Sequence, residues 1–193
     1  MRIGVAGSVG NDHLMMFEGK FADSLVEGSL ASVSLSFLVD SLEIRRGGCA
    51  ANITFGMGAL GLNPILVAAV GKDWADYDAW LRRHGVDTGH VKISKDLYTA
   101  TFMVTTDQDH NQIASFFPGA MSEAREIELG PIIDKVGSFD LLVISPDDPE
   151  AMVRYSITAR QMGIPVAADP SQQLARMNGP EIKLLIQGAK YLF

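Results

Sequence analysis

Short apolar runs alternate with amphipathic stretches through the second half of the chain. That rhythm constrains the fold more than any other feature. DLLVIS (140–145) reads as a buried strand, IPVAADP (164–170) as another strand, and YLF (191–193) as the opening of one more. IELGPIIDKVG, DPEAMVRYSITARQMG and SQQLARMNGPEIKLLIQ precede them in turn and have helical spacing. A continuous apolar run marks a strand covered on both faces. Successive parallel strands need a crossover, usually a helix. The chain therefore reads as α/β, with a doubly wound, mostly parallel sheet flanked by helices.

The first half opens the same way. Ile3 to Gly7 is a short buried strand. ILVAAVG (65–71) is a second one, entered by an Asn63-Pro64 turn. DWADYDAWLRRHG is an amphipathic helix with Trp74, Tyr77 and Leu81 on one face. Asp73 is the expected N-cap and Gly85 the expected C′ residue.

Two stretches, about 11–46 and 97–117, break the rhythm. In SVSLSFLVDSLEI, Val33, Leu35, Phe37 and Val39 alternate with Ser32, Ser34, Ser36 and Leu38, which is strand period. The phase slips at Leu42 and Ile44, so a bulge is expected near Leu38-Val39. TATFMVTTD and QIASFF also alternate, with DQDHN as a hairpin loop. These β-rich insertions are expected to pair as a small lid. All 193 residues then form the N-terminal part of one α/β domain carrying the lid. Because YLF opens a strand that nothing follows, the domain is expected to be truncated.

Composition narrows the function. The net charge of −7 argues against nucleic acid, which calls for a basic face. Cys49 is the only cysteine, so no internal disulfide forms and a reducing cytoplasm is expected. No apolar run is long enough to span a bilayer.

Two glycine motifs mislead. Gly56-x-Gly58-x-x-Gly61 matches the dinucleotide fingerprint in letters, but its glycines lead out of a helix instead of into one. Small-residue helix packing explains them better, and an NAD-dependent enzyme rests on nothing else. A Walker A loop is excluded, because Asp73 replaces the Ser/Thr after Lys72 and position 66 is Leu66.

Gly47-Gly48 sits before a helix expected to start around Ala50, where unsatisfied N–H groups point outward. Asn52 follows in the first turn. The pair is either an ordinary turn and cap, or an opening through which a sugar diol reaches the backbone. Asp12 after the first strand is either a turn residue or a carboxylate accepting from vicinal hydroxyls. Asp169-Pro170-Ser171-Gln172-Gln173 ends another strand. It either caps a helix through Asp169 or Ser171, or brings glutamines to the edge of a base. Phe37, Phe102, Phe116 and Phe117 on the lid either cover a flat ligand or pack a dimer. His13, His84, His90 and His110 lack metal spacing, and Cys49 reads as a small buried residue.

GGCAANITFGMGALG, the following AAVGKDWAD and the later AADPSQQLAR together resemble the ribokinase-like family of carbohydrate and nucleoside kinases. Gly47, Gly48, Asn52 and Val70-Gly71-Lys72-Asp73 match its first signature. Within the family, GSVGNDHLMMF, VSLSFLVD, RRGG and IASFFPGAMSEAR look like bacterial adenosine kinases. The resemblance implies ATP-dependent phosphorylation of the adenosine 5′-hydroxyl to AMP, with Mg2+ and a monovalent cation as candidate cofactors. It implies that Asp12, Gly48 and Asn52 hold the ribose, and that Ser8 and Ser36 contact the nucleoside. Phe102 and Phe116 would flank the purine, with Phe37 nearby. Gln172 and Gln173 would line the pocket, and Arg176 would lie near the reacting end. Homodimerisation through the lid strands is also implied. The catalytic base, an Asp in an Asp-Thr-x-Gly-x-Gly-Asp signature, and the Asn-x-x-Glu magnesium motif are expected after Phe193. The chain given therefore assigns no catalytic or metal residue and is expected not to turn over alone. A sugar kinase such as ribokinase or fructokinase, and a non-catalytic nucleoside-binding module, are the alternatives.

Overall fold

The computed structural model describes residues 1–24 and 35–193. In chain order they form β1 (Ile3–Ala6), β2 (Gly10–Met16), α1 (Phe21–Ser24), β3 (Ser41–Gly47) and α2 (Cys49–Ala59). Next come β4 (Ile65–Val67), β5 (Ala69–Val70), α3 (Ala75–Arg83), β6 (Lys92–Ile93), β7 (Ala100–Thr106) and β8 (Gln112–Phe117). A 3-10 run, Gly119–Glu126, leads to α4 (Leu129–Val136), β9 (Leu141–Ile144), α5 (Pro149–Gln161) and β10 (Val166–Ala168). A second 3-10 turn, Ser171–Ala175, precedes α6 (Gly179–Ile186) and β11 (Tyr191–Leu192).

The chain divides into two units. One comprises Met1–Gly10, Gly47–Ala100 and Pro118–Phe193; the other comprises Asn11–Arg46 and Thr101–Phe117.

The first is an α/β unit. Its main sheet runs β11-β10-β9-β1-β4, and every pairing in it is parallel. Along β1, β4, β9 and β10, alternate residues enter different cores, whereas both residues of β11 are exposed. Val5, Leu66, Val143 and Ala167 pack with α2 and α3 through Ala50, Ala51, Tyr77 and Leu81. Ala6, Val67, Ile144 and Ala168 pack with α4, α5 and α6 through Ile133, Met152, Tyr155 and Leu185. Each fully buried Leu or Val contributes about 1.5–3 kcal/mol by leaving water, so the two-sided burial holds the sheet.

ILVAAVG departs from the single strand expected. It splits at Ala68, whose carbonyl accepts from Lys92 N–H at 2.9 Å. From there β5 changes partner and pairs in parallel with β6. Asp73 is not the cap of α3. Trp74 occupies the N-cap position without a side-chain hydrogen bond, because Asp73 instead accepts from the Thr99 N–H and hydroxyl. Gly85 follows the last residue of the α3 cap with φ +80°, as a C′ glycine does. Neither Asp169 nor Ser171 caps a helix. α6 is capped by Asn178 in a reciprocal box with Glu181.

The second unit is a β unit, with strand order β3-β2-β7-β8. Its two chain segments thus share one sheet. β7 and β8 are antiparallel, and residues 107–111 form the loop between them. Asp107 ties that loop by accepting from Asp109 and Asn111 N–H, and also from Phe21 N–H. The expected strand around Leu38 is not formed. Residues 35–39 have no ladder, and Phe37 packs against Phe17 and Phe21 at ring distances of 5.0 and 4.8 Å. Val33, with Ser32 and Ser34, lies outside the described residues. Asp12 is not a turn residue but the third residue of β2.

Candidate functional site

In an open α/β sheet, ligands bind beyond the carboxyl ends of the strands. In the α/β unit the segment after β1 meets the start of α2 there. Ser8 governs that meeting. Its N–H donates to Pro146 carbonyl at 3.0 Å, its hydroxyl accepts from Cys49 N–H at 3.1 Å, and its carbonyl accepts from Ala50 and Ala51 N–H at 3.1 and 3.4 Å. The opening N–H groups of α2 are therefore satisfied inside the protein. This overturns the expectation that they point outward and free. A serine 41 residues upstream takes the capping role, which local sequence cannot show.

Gly48 is the N-cap of α2, with φ +91°. A Cβ there would lie 2.5 Å from Val9 Cα and 2.6 Å from Ser8 carbonyl oxygen. The space where a side chain would stand is filled by the chain's own backbone, not left open for a ligand. Gly47 is buried, and its carbonyl accepts from the Tyr77 hydroxyl at 3.0 Å. Asn52 is exposed one turn into α2, and its N–H donates to Gly48 carbonyl at 3.0 Å.

Beyond β10, Asp169 is half-buried and its N–H donates to Ile144 carbonyl. Gln172 and Arg176 are exposed, whereas Gln173 is buried, with an Oε1 lacking a hydrogen-bond partner among the described residues. The two glutamines thus sit in different surroundings. Asp169 lines a groove of about 530 Å³ together with Met57, Val143, Ala167, Tyr191 and Phe193 among others.

Beyond β9, sequence reasoning missed Asp147. It is buried, one oxygen accepts from Asp148 N–H at 2.8 Å, and the other lacks a partner among the described residues. Burial pushes its carboxyl well above the usual carboxylate range. Asp148 caps α5 and accepts from Arg125 at 2.6 Å. The buried Tyr155 hydroxyl donates to Ala124 carbonyl, and burial pushes its pKa up, with the Asp147 charge adding to the rise. The doubled acid in SPDDP, placed at the end of a strand, was the available signal.

In the β unit, Asp12 is half-buried. Burial pushes its carboxyl up, and the nearby His13 pulls it partly back. Such a carboxylate is a stronger acceptor than a fully hydrated one. Phe102 and Phe116 are direct partners across the β7–β8 ladder, so their side chains rise from the same face. Phe102 is half-buried and Phe116 is 50% exposed. Ser36 is exposed, and Phe37 belongs to the aromatic group with Phe17 and Phe21. Among the described residues, no three His, Cys, Asp or Glu side chains group as a metal site, and no helix is long and apolar enough to cross a membrane.

Comparison with known proteins gives concordant likenesses. The pfkB family carbohydrate kinase model matches residues 16–193. A nucleoside kinase of Methanothermobacter thermautotrophicus is 32% identical over 150 residues, 77% of this chain and 48% of that protein. Burkholderia thailandensis nucleoside kinase in complex with inosine superposes with a TM-score of 0.81 at 31% identity, covering 98% of this chain and 59% of that one. Methanocaldococcus jannaschii nucleoside kinase, an archaeal member of the ribokinase family, reaches a TM-score of 0.82 at 24% identity, over 100% of this chain and 60% of that one. The fold is ribokinase-like α/β. The chain spans about half the length of the curated relatives it matches.

Proposed function

This chain belongs to the pfkB family of carbohydrate kinases, and we propose that it carries nucleoside-binding residues of a nucleoside kinase that acts on adenosine. Identity of 31–32% to nucleoside kinases, across 77% and 98% of the chain, is the observation that carries this reading. The B. thailandensis relative is described in complexes with inosine and with ADP-inosine, which supports a purine nucleoside and an adenine nucleotide as the reacting pair.

In the proposed reaction the 5′-hydroxyl oxygen attacks the γ-phosphorus of ATP. The hydroxyl proton passes to a base, and ADP leaves. The residues of this chain act by positioning. Asp12, Gly48 and Asn52 are proposed to take the ribose hydroxyls, and Ser8 and Ser36 to contact the nucleoside. The raised basicity of Asp12 suits it to accept from a diol. Phe102 and Phe116 present paired aromatic surface for a purine, and Phe37 is proposed as a further contact. Gln172, Gln173 and Arg176 are proposed as polar contacts beyond β10. ATP with Mg2+ supplies the phosphoryl group. No residue of this chain is assigned to the metal.

A homodimer through the β unit completes the proposal. Every residue of β8, the strand at one end of its sheet, is exposed, including Ile113, Phe116 and Phe117. An apolar edge of that kind favours pairing with another chain.

Titration of the chain with adenosine, inosine, ribose and fructose by calorimetry tests the reading. Adenosine is expected to bind most tightly and the free sugars weakly. Tighter binding of ribose or fructose than of either nucleoside would assign the site to a sugar kinase.

A further inference from the structure

We propose that Asp73 and Tyr77 are positioning residues for nucleoside binding, fastening the backbone junction that carries Ser8 and Gly48. The inference rests on the nucleoside reading above. Within the α/β unit, the segments at 8–10, 47–48 and 98–100 adjoin the points where the chain leaves or re-enters that unit. They pack backbone against backbone. A Cβ on Gly48 would meet Val9 Cα at 2.5 Å and Gly10 nitrogen at 2.7 Å, and one on Gly10 would meet Ala100 carbonyl oxygen at 3.2 Å. A Cβ on Gly71 would lie 2.2 Å from Thr99 nitrogen. Ala120 N–H donates to Tyr98 carbonyl at 2.9 Å, bringing in the second re-entry point, at Pro118.

Asp73, two residues before α3, and Tyr77, within its first turn, hold this arrangement. Asp73 Oδ1 accepts from Thr99 N–H at 2.8 Å and from its hydroxyl at 2.7 Å. The hydroxyl proton being given to Asp73, Thr99 Oγ1 is left to accept from Gly71 N–H at 3.0 Å. Lys72 adds its N–H to Leu97 carbonyl at 3.0 Å and its ammonium over the Tyr98 ring at 4.3 Å. Four residues later, the buried Tyr77 hydroxyl donates to Gly47 carbonyl. The Gly71-Lys72-Asp73 motif thus grips the 97–99 segment, and the helix it opens grips Gly47. Neither Asp73 nor Tyr77 is assigned a ligand contact. Their effect on affinity passes through the placement of Ser8 and Gly48.

The test compares the parent chain with D73A, D73N, Y77F and L185A. Leu185 is fully buried in the core formed with α4 and α5, so L185A reports destabilisation without touching the junction. Adenosine affinity is read by calorimetry, and amide exchange is read at residues 47–49 and 97–100. D73A is expected to lose roughly tenfold in affinity and to exchange faster at both segments. D73N keeps the Oδ1 acceptor and is expected to stay within about twofold. Y77F is expected to lose about threefold. Unchanged affinity in D73A overturns the proposal. So does a D73N as weak as D73A, or an equal loss in L185A. If the parent binds no nucleoside, the functional reading fails instead. The fastening role then stands on faster exchange in D73A than in L185A, and falls if the two match.

Discussion

The Ser8 hydroxyl accepts the Cys49 amide at 3.1 Å, so the helix after the double glycine is capped from the segment that follows the first strand. Ser8→Ala removes that acceptor. It is expected to cost about 1 kcal/mol in urea unfolding, as the loss of other capping hydroxyls does. A loss below about 0.3 kcal/mol would show that water replaces the hydroxyl there.

Two glycines of the same segment should respond oppositely to alanine. Gly48 has φ +91° and backbone atoms where a Cβ would stand, so G48A is expected to lose at least about 2 kcal/mol. Gly56 lies inside α2 with nothing within 4 Å of its missing Cβ, so G56A is expected to gain about 0.5–1 kcal/mol. Chemical denaturation with unchanged m-values decides both. Equal shifts in the two variants would contradict the packing described.

Asp147 should impose a pH dependence of definite sign. Its folded carboxyl is raised by burial, so the native state binds the proton more tightly than the unfolded chain. Its contribution is fully present below the unfolded value of about 3.9 and is lost as pH rises toward the folded value. Asp147→Asn, a neutral isostere, is expected to become progressively more stable relative to the parent as pH rises above about 4. Parent and variant stability curves that run parallel from pH 4 to 8 would refute the burial argument.

Phe102 and Phe116 provide the sharpest separation of nucleoside from sugar. Replacing either by Ala is expected to weaken adenosine binding about tenfold, within the range known for aromatic stacking on a base. Ribose binding should change less than twofold by the same reasoning. Phe116 is half-exposed, so its truncation should leave the thermal midpoint nearly unchanged and make the binding effect clean to read.

Strong local patterns were legible in the sequence. The buried runs around Ile3, Leu142 and Ala167 form the parallel sheet, because a strand covered on both faces leaves a continuous apolar signature. The hairpin loop at 107–111 was equally plain. The alternation around Phe37 was not reliable. A period of two shows which side chains lie on one side, but an aromatic group with Phe17 and Phe21 uses them without a ladder. Asp73 looked like a cap because position alone favours capping. Thr99, 26 residues away, offered it two donors and displaced that role.

The sequence by itself determined the α/β class and the order of strands and helices in the second half, since these rest on periodicity; the family entered as a resemblance of its motifs and was shown by comparison. Only the tertiary structure decided what the polar groups and glycines do. Ser8 and Cys49, Asp73 and Thr99, Tyr77 and Gly47 meet across 26 to 41 residues. Hydrogen bonds depend on distance and angle, not on separation along the chain, so such pairings exist only once the backbone has packed.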